Sequence, residues 1–204
     1  MGTKMRGDAV ARGRPREFDA DEALDRALEV FWRKGYEGAS LPDLTRAMGI
    51  NRPSLYAAFG NKESLFRKAL ARYLDGPAAY AREALEEPTA RAVAERLLNE
   101  SARKLTDAHG PRGCLVVQAA LACGETSESV RRELVAHRAA LQAELRRRFE
   151  RGVAEGDLSS DVDCADLARY VVTVVHGMAV QAAGGATRAE LRHVAAIALR
   201  AWPG

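Results

Sequence analysis

An all-α protein is predicted for this 204-residue chain, on three observations. No run alternates polar and apolar residues with the period of two that marks a half-buried strand, whereas apolar residues recur at helical spacing. Ala, Leu, Glu and Arg, which favour helix, dominate the composition. Glycines, some beside proline, punctuate the chain at helix-length intervals: Gly35, Gly49, Gly60, Gly76-Pro77, Gly156 and Gly184-Gly185.

About nine helices follow from this punctuation. Asp19 or Asp21 caps the first, and Leu24, Ala27, Leu28 and Phe31 form its buried stripe. Gly35 ends it. Ser40 caps a second helix, "LPDLTRAM", in whose first turn Pro42 is tolerated. Gly49 supplies a left-handed turn cheaply. A third helix opens in "NRPSLYAAF" and stops at Gly60 after two turns. Asn61 caps a fourth, which runs to about Leu74 and breaks at Gly76-Pro77. Longer helices are expected over about 78–86, 89–108, 114–123, 127–154, from Asp161 or Asp163 to 183, and 187–202. The chain thus divides into a basic arm (1–18), a small helical head (19–75) and a larger helical body (76–204).

Charge is informative through its distribution. The net charge is only +3, and residues 1–16, with Lys4, Arg6, Arg12, Arg14 and Arg16 against Asp8, more than account for it. The body balances 17 Lys+Arg against 17 Asp+Glu. A localised basic excess points to a polyanion at the amino-terminal end. The three cysteines, Cys114, Cys123 and Cys164, form no CxxC pair and do not cluster with histidines, so neither a metal site nor a cofactor is expected. An odd count without a visible secretory signal suggests reduced thiols in a cytoplasm. The longest apolar stretch, 167–183, carries Arg169, His176 and Gln181 and is too short for a comfortable membrane span.

Residues 40–59 hold two short helices around a glycine turn. Ile50, Leu55 and Phe59 have core character, which leaves Asn51, Arg52, Ser54 and Tyr56 at an exposed front. A helix-turn-helix presents the amino-terminal end of its second helix to the major groove, so two turns suffice. Arg52 can fork onto guanine O6 and N7, or onto phosphate. Asn51 and Ser54 can take bases or phosphates, and the Tyr56 hydroxyl can meet the backbone. The start of the fourth helix offers unpaired N–H groups with a partial positive charge, to which Lys62 adds a full one.

Residues 23–70, "ALDRALEVFWRKGYEGASLPDLTRAMGINRPSLYAAFGNKESLFRKAL" with its flanks, closely resemble the DNA-binding region of TetR-family transcriptional regulators. Phe31, Gly35, Tyr36, Ser40, Leu44, Gly49, Leu55, Tyr56, Phe59, Lys62 and Leu65 each stand in the family's place. The resemblance implies an all-α fold with a three-helix DNA-binding part and a larger carboxy-terminal part that dimerises and binds a small effector. It implies that Tyr56 and Lys62 hold phosphates, that Asn51 to Ala57, Pro53 included, meet the groove, and that "RGRPR", with Arg14 and Arg16, tracks backbone or minor groove. Ser40 and Thr45 join the expected contacts. Thr45 stands where the family often has alanine, and its hydroxyl can pack, bond a carbonyl or touch phosphate. Ala57 lacks a contact that a larger side chain would make, and Pro53 removes one N–H donor.

In the body, "RGCLVVQAAL" (112–121) resembles a segment of one subgroup of the family's carboxy-terminal domains. Val171, Val172, Val174, Val175, Met178 and Val180 on one of the last two helices, and Ala195, Ala196, Ala198 and Leu199 on the other, are expected at a homodimer surface. Gly177, Ala179 and Ala182 would permit close approach. A two-fold dimer implies a palindromic operator in double-stranded DNA. Cys114, Gln118, His137, Tyr170 and His176 are the candidates for an effector pocket, and Cys114 would sense redox state if Arg112 lowered its pKa.

Two other readings compete. Cys114 with His137 or His176 could be nucleophile and base, but no motif holds them and no oxyanion turn is visible. A non-specific architectural binder would have little use for a large neutral body.

Overall fold

The computed structural model describes residues 18–121 and 127–203, and the structural statements below concern those residues. Arg14, Arg16 and Cys123 lie outside them. The helices are α1 (Ala20–Gly38), α2 (Leu41–Met48), α3 (Arg52–Phe59), α4 (Lys62–Asp75), α5 (Tyr80–Glu83), α6 (Ala90–Lys104), α7 (Leu115–Leu121), α8 (Glu128–Ala154), α9 (Cys164–Ala183) and α10 (Arg188–Arg200). A 3-10 turn, Ala84–Glu86, continues α5. No described helix is long and apolar enough to cross a membrane.

Local chemistry sets most of these boundaries. Asp19 caps α1 by accepting from the amides of Asp21 and Glu22. Gly35, at φ 68 and ψ 178, breaks the helix three residues before its formal end. Ser40 and Asp43 form a reciprocal capping box on α2, and Gly49 closes it in the left-handed region. Asn51, Asn61 and Asp163 cap α3, α4 and α9 with their side chains. Two expectations shorten. The helix expected over 78–86 is a single α-turn plus a 3-10 turn. The one expected to reach 108 ends at Lys104, because the chain turns back so that the Gly113 amide meets the Leu105 carbonyl at 2.9 Å.

Two apolar cores result. One, in the head, joins Phe31, Trp32, Leu44, Leu55, Phe59, Leu65, Phe66 and Leu70. It does not stop at the head boundary, since Leu115, Val116 and Ala119 of α7 and Val130 and Leu134 of α8 belong to it. The other fills the body with side chains of α6, α8, α9 and α10, and Val117 of α7 joins it. The head is therefore bolted to the body through α7. The Trp32 indole N–H donates to the Gly113 carbonyl at 3.1 Å in a buried bond, and Arg67 pairs with Glu133 at 2.8 Å.

Candidate nucleic-acid interface and ligand cavity

The third helix carries its working groups on its first turn. Leu55 and Phe59, four apart, are buried and fix the helix against the head core. Phe18 adds an aromatic contact to Phe59, with centroids 6.4 Å apart. Asn51, Arg52, Pro53, Tyr56 and Ala57 face solvent, and Ser54 is half-buried. The Asn51 side-chain oxygen accepts from the Ser54 amide at 2.8 Å, so its amide NH₂ is the part that can meet an outside acceptor. Arg52 makes no hydrogen bond or ion pair among the described residues, and Tyr56 is 46% exposed, high for a tyrosine. The first turn of α3 contains no acidic residue, so the positive end of its dipole is uncompensated.

The flanking helix starts complete the surface. Asn61 caps α4 through the Ser64 amide at 2.8 Å. Lys62 follows, with its Nζ 4.5 Å from the centroid of the Tyr36 ring. Tyr36 is itself packed on Phe31 and Phe66, so a cation is held at the rim by a rigid aromatic seat. Two further candidates, Ser40 at the surface and the half-buried Thr45, bond within the head itself. The Ser40 hydroxyl works within the capping box, accepting from the Asp43 amide and donating to its carboxylate at 2.7 Å. The Thr45 hydroxyl donates to the Leu41 carbonyl at 3.0 Å. The Lys34 ammonium and then the Ser40 cap hold the Asp43 carboxyl down at about 2.

In the body, a cavity of about 190 Å³ opens between α4, α5, α7, α8 and α9. Cys114, His137 and His176 line it, as the sequence suggested, together with Tyr73, Tyr80 and Arg138. Gln118 and Tyr170 do not. Gln118 turns toward Gly113, where its Nε2 stands 3.0 Å from the place a side chain would begin. Tyr170 lies on the outer side of α9 and donates to the Ala198 carbonyl of α10 at 3.3 Å. Arg112 donates to the Ala186 carbonyl, which commits its guanidinium there. Cys114 instead neighbours the phenols of Tyr73 and Tyr80, both of which burial raises.

Burial, and then the Arg138 charge, push the His176 imidazole below its usual range. The Arg138 Nε is shut off from solvent without a hydrogen-bond partner. Sequence reasoning overlooked Arg138, although a signal was present. Leu134, Arg138, Leu141, Leu145 and Phe149 recur at helical spacing, which places a charge in the apolar stripe of α8.

The outer sides of α9 and α10 differ from the expected list. Val171, Val172, Val175, Met178, Ala195 and Ala198 are buried within the chain itself, because α9 is packed against α6, α7, α8 and α10. Tyr170, Val180, Val194 and Ile197 are the large apolar residues left exposed there, and Ile197 is 58% exposed. Gly177 and Ala196 lie exposed on the same two helices.

Comparison with known proteins gives consistent results. The family model described as "Bacterial regulatory proteins, tetR family" matches residues 23–69. A second, described as "Tetracyclin repressor-like, C-terminal domain", matches 88–198. The HTH-type transcriptional repressor ComR of Escherichia coli K12 is 34% identical over 195 residues, covering 95% of this chain and 93% of that protein. The HTH-type transcriptional repressor AcnR of Corynebacterium glutamicum is 31% identical, covering 91% and 93%. Among solved structures, a cysteine-substituted TetR-family regulator CifR in complex with a 26-bp double-strand operator DNA is 51% identical. Its TM-score is 0.89, with 93% of this chain and 100% of that chain covered.

Proposed function

This chain belongs to the TetR family of bacterial regulatory proteins and is a DNA-binding transcriptional regulator, not an enzyme, and from that premise we propose that it is a repressor that reads a palindromic operator as a homodimer and leaves it when a small effector binds. The observation that carries the proposal is the build of α3. Two buried side chains anchor it while Arg52 and Tyr56 stand in water beside a helix start free of acidic groups. Arg52 reads a guanine edge, and Asn51, Pro53, Ser54 and Tyr56 complete the groove-facing front. Lys62 and the α4 amides hold the adjacent phosphate, and Arg14 and Arg16 of the arm add backbone contacts. Phosphate contacts set register, and base contacts carry the sequence information.

The dimer forms through α9 and α10, whose exposed Tyr170, Val180, Val194 and Ile197 gain from burial against a two-fold copy. One short recognition helix binds modestly, and two half-sites multiply its affinity through effective concentration. The effector occupies the cavity whose wall includes Tyr73 and Leu74 of α4 and Cys114, Val116 and Val117 of α7. Those elements also enter the head core, so a ligand that favours one placement of α4 and α7 shifts the spacing of the two heads.

Titration of a labelled duplex from upstream of its own coding region, against a scrambled duplex at the same salt, tests the reading. Specific binding is expected to be tighter by about a thousandfold or more. Near-equal affinities would remove the sequence-reading role.

A further inference from the structure

We propose that the cavity of the body takes a small organic acid, with its carboxylate at Arg138 and an apolar portion against the aliphatic wall. The inference deepens the effector reading and rests on it only for the consequence, release of DNA, not for the binding itself.

The charge arrangement carries it. Arg138 lines the cavity, yet neither a hydrogen bond nor an ion pair engages it among the described residues, and its Nε is buried. A buried donor without a partner is destabilising, so a resident arginine in an apolar stripe calls for an acceptor from outside. The other charged groups facing the cavity do not supply one. Arg82 is positive and lies 3.7 Å from Asp75. Glu144 sits six residues along α8 from Arg138, about 9 Å of helix rise away, and forms no ion pair with it. The neighbouring His176 is held toward its neutral form by burial and by Arg138 itself. A guanidinium flanked by a neutral imidazole favours a planar carboxylate, which it can grip in a fork.

Volume and walls set the remainder of the ligand. A dry cavity of about 150 Å³ accommodates benzene, and this one, at about 190 Å³, leaves room for one further small group. Val116, Val117, Leu141 and Val175 add apolar lining to the same cavity. A six-membered ring or a chain of five or six carbons bearing one carboxylate fits both constraints.

Calorimetric titration of the full chain with benzoate, phenylacetate and hexanoate tests this, each paired with its neutral alcohol. At least one acid is expected to bind at least tenfold tighter than its alcohol. Arg138→Met should lose that binding at least tenfold, and Arg138→Lys, which keeps the charge but not the fork, should fall between. Circular dichroism and melting of both variants confirm folding. Alcohols binding as well as acids, no acid binding, or unchanged binding by Arg138→Met would each overturn the proposal. If an acid binds through Arg138 yet the operator duplex stays bound, the carboxylate site stands and the effector reading falls.

Discussion

Arg52 and Arg138 both lack an ion-pair partner among the described residues, and their surroundings make them different devices. Arg52 stands in water at the start of α3, where an unpaired guanidinium costs nothing and DNA can replace its hydration. Arg138 lies in the apolar stripe of a 27-residue helix, beside His176, whose imidazole is pushed below its usual range by burial and then by the Arg138 charge. The contrast separates two uses of one residue type. An exposed charge is available to any polyanion and gains specificity from geometry. A half-buried one, with its Nε shut off from solvent and unpartnered, favours a complementary charge that fits the cavity it faces.

The separation of the two regions is limited by the core they share, and breaking that core should produce the largest effect. Leu115 is fully buried and belongs to the head cluster although it stands on α7 of the body. Leu115→Ala should destabilise by about 2–5 kcal/mol. Denaturation followed by fluorescence should lose head and body in one transition; two separated transitions would mean the regions are independent.

Arg52→Ala should leave melting unchanged and cost about 1–3 kcal/mol for the preferred duplex, with little change for a scrambled one. Lys62→Ala should instead weaken both duplexes alike and reduce the slope of log affinity against log salt by about one. An equal loss on all sequences for Arg52→Ala would make it a phosphate contact. Arg138→Met should do neither. DNA affinity stays, and the ligand-free protein gains on the order of 1 kcal/mol, as an unsatisfied donor is removed. A loss of stability would indicate that Arg138 has a structural partner.

The smallest effect concerns acid. The folded Asp43 carboxyl, held at about 2 by Lys34 and the Ser40 cap, lies below its unfolded value of 3.8. Its contribution is therefore complete above about pH 4 and is lost as pH falls toward 2. Asp43→Asn should flatten this part of the stability profile, measured by denaturant titration, and leave the neutral range nearly unchanged.

The head was readable because its signals are local. Asp19, Ser40, Asn51, Asn61, Gly49 and Gly60 each act on amides or carbonyls within a few residues, so composition and spacing locate the helices that hold the site. The commitment of Ser40 and Thr45 to internal bonds was legible only in part, since a hydroxyl can cap or contact with equal ease. The body obeys longer-range rules. Helix α9 is apolar around most of its circumference, so its sequence does not say which valines face the body core and which face outward. Tyr170 and Gln118 looked like pocket residues because both are polar groups among apolar ones, and only packing directs the first to Ala198 and the second to Gly113. The role of α7 as the bolt between regions depends on Trp32 meeting Gly113 across 81 positions, a separation no local pattern reveals.

The central claim is that two copies of this chain set the first turn of α3 into successive major grooves on one side of a duplex. Methylation interference at guanine N7, scanned across the duplex from upstream of its own coding region, tests it most directly. Two clusters of interfering guanines related by a two-fold axis are expected, about 10 bp apart or a multiple of that, with the clusters lost for Arg52→Ala. A single cluster, or interference spread evenly along the duplex, would contradict it.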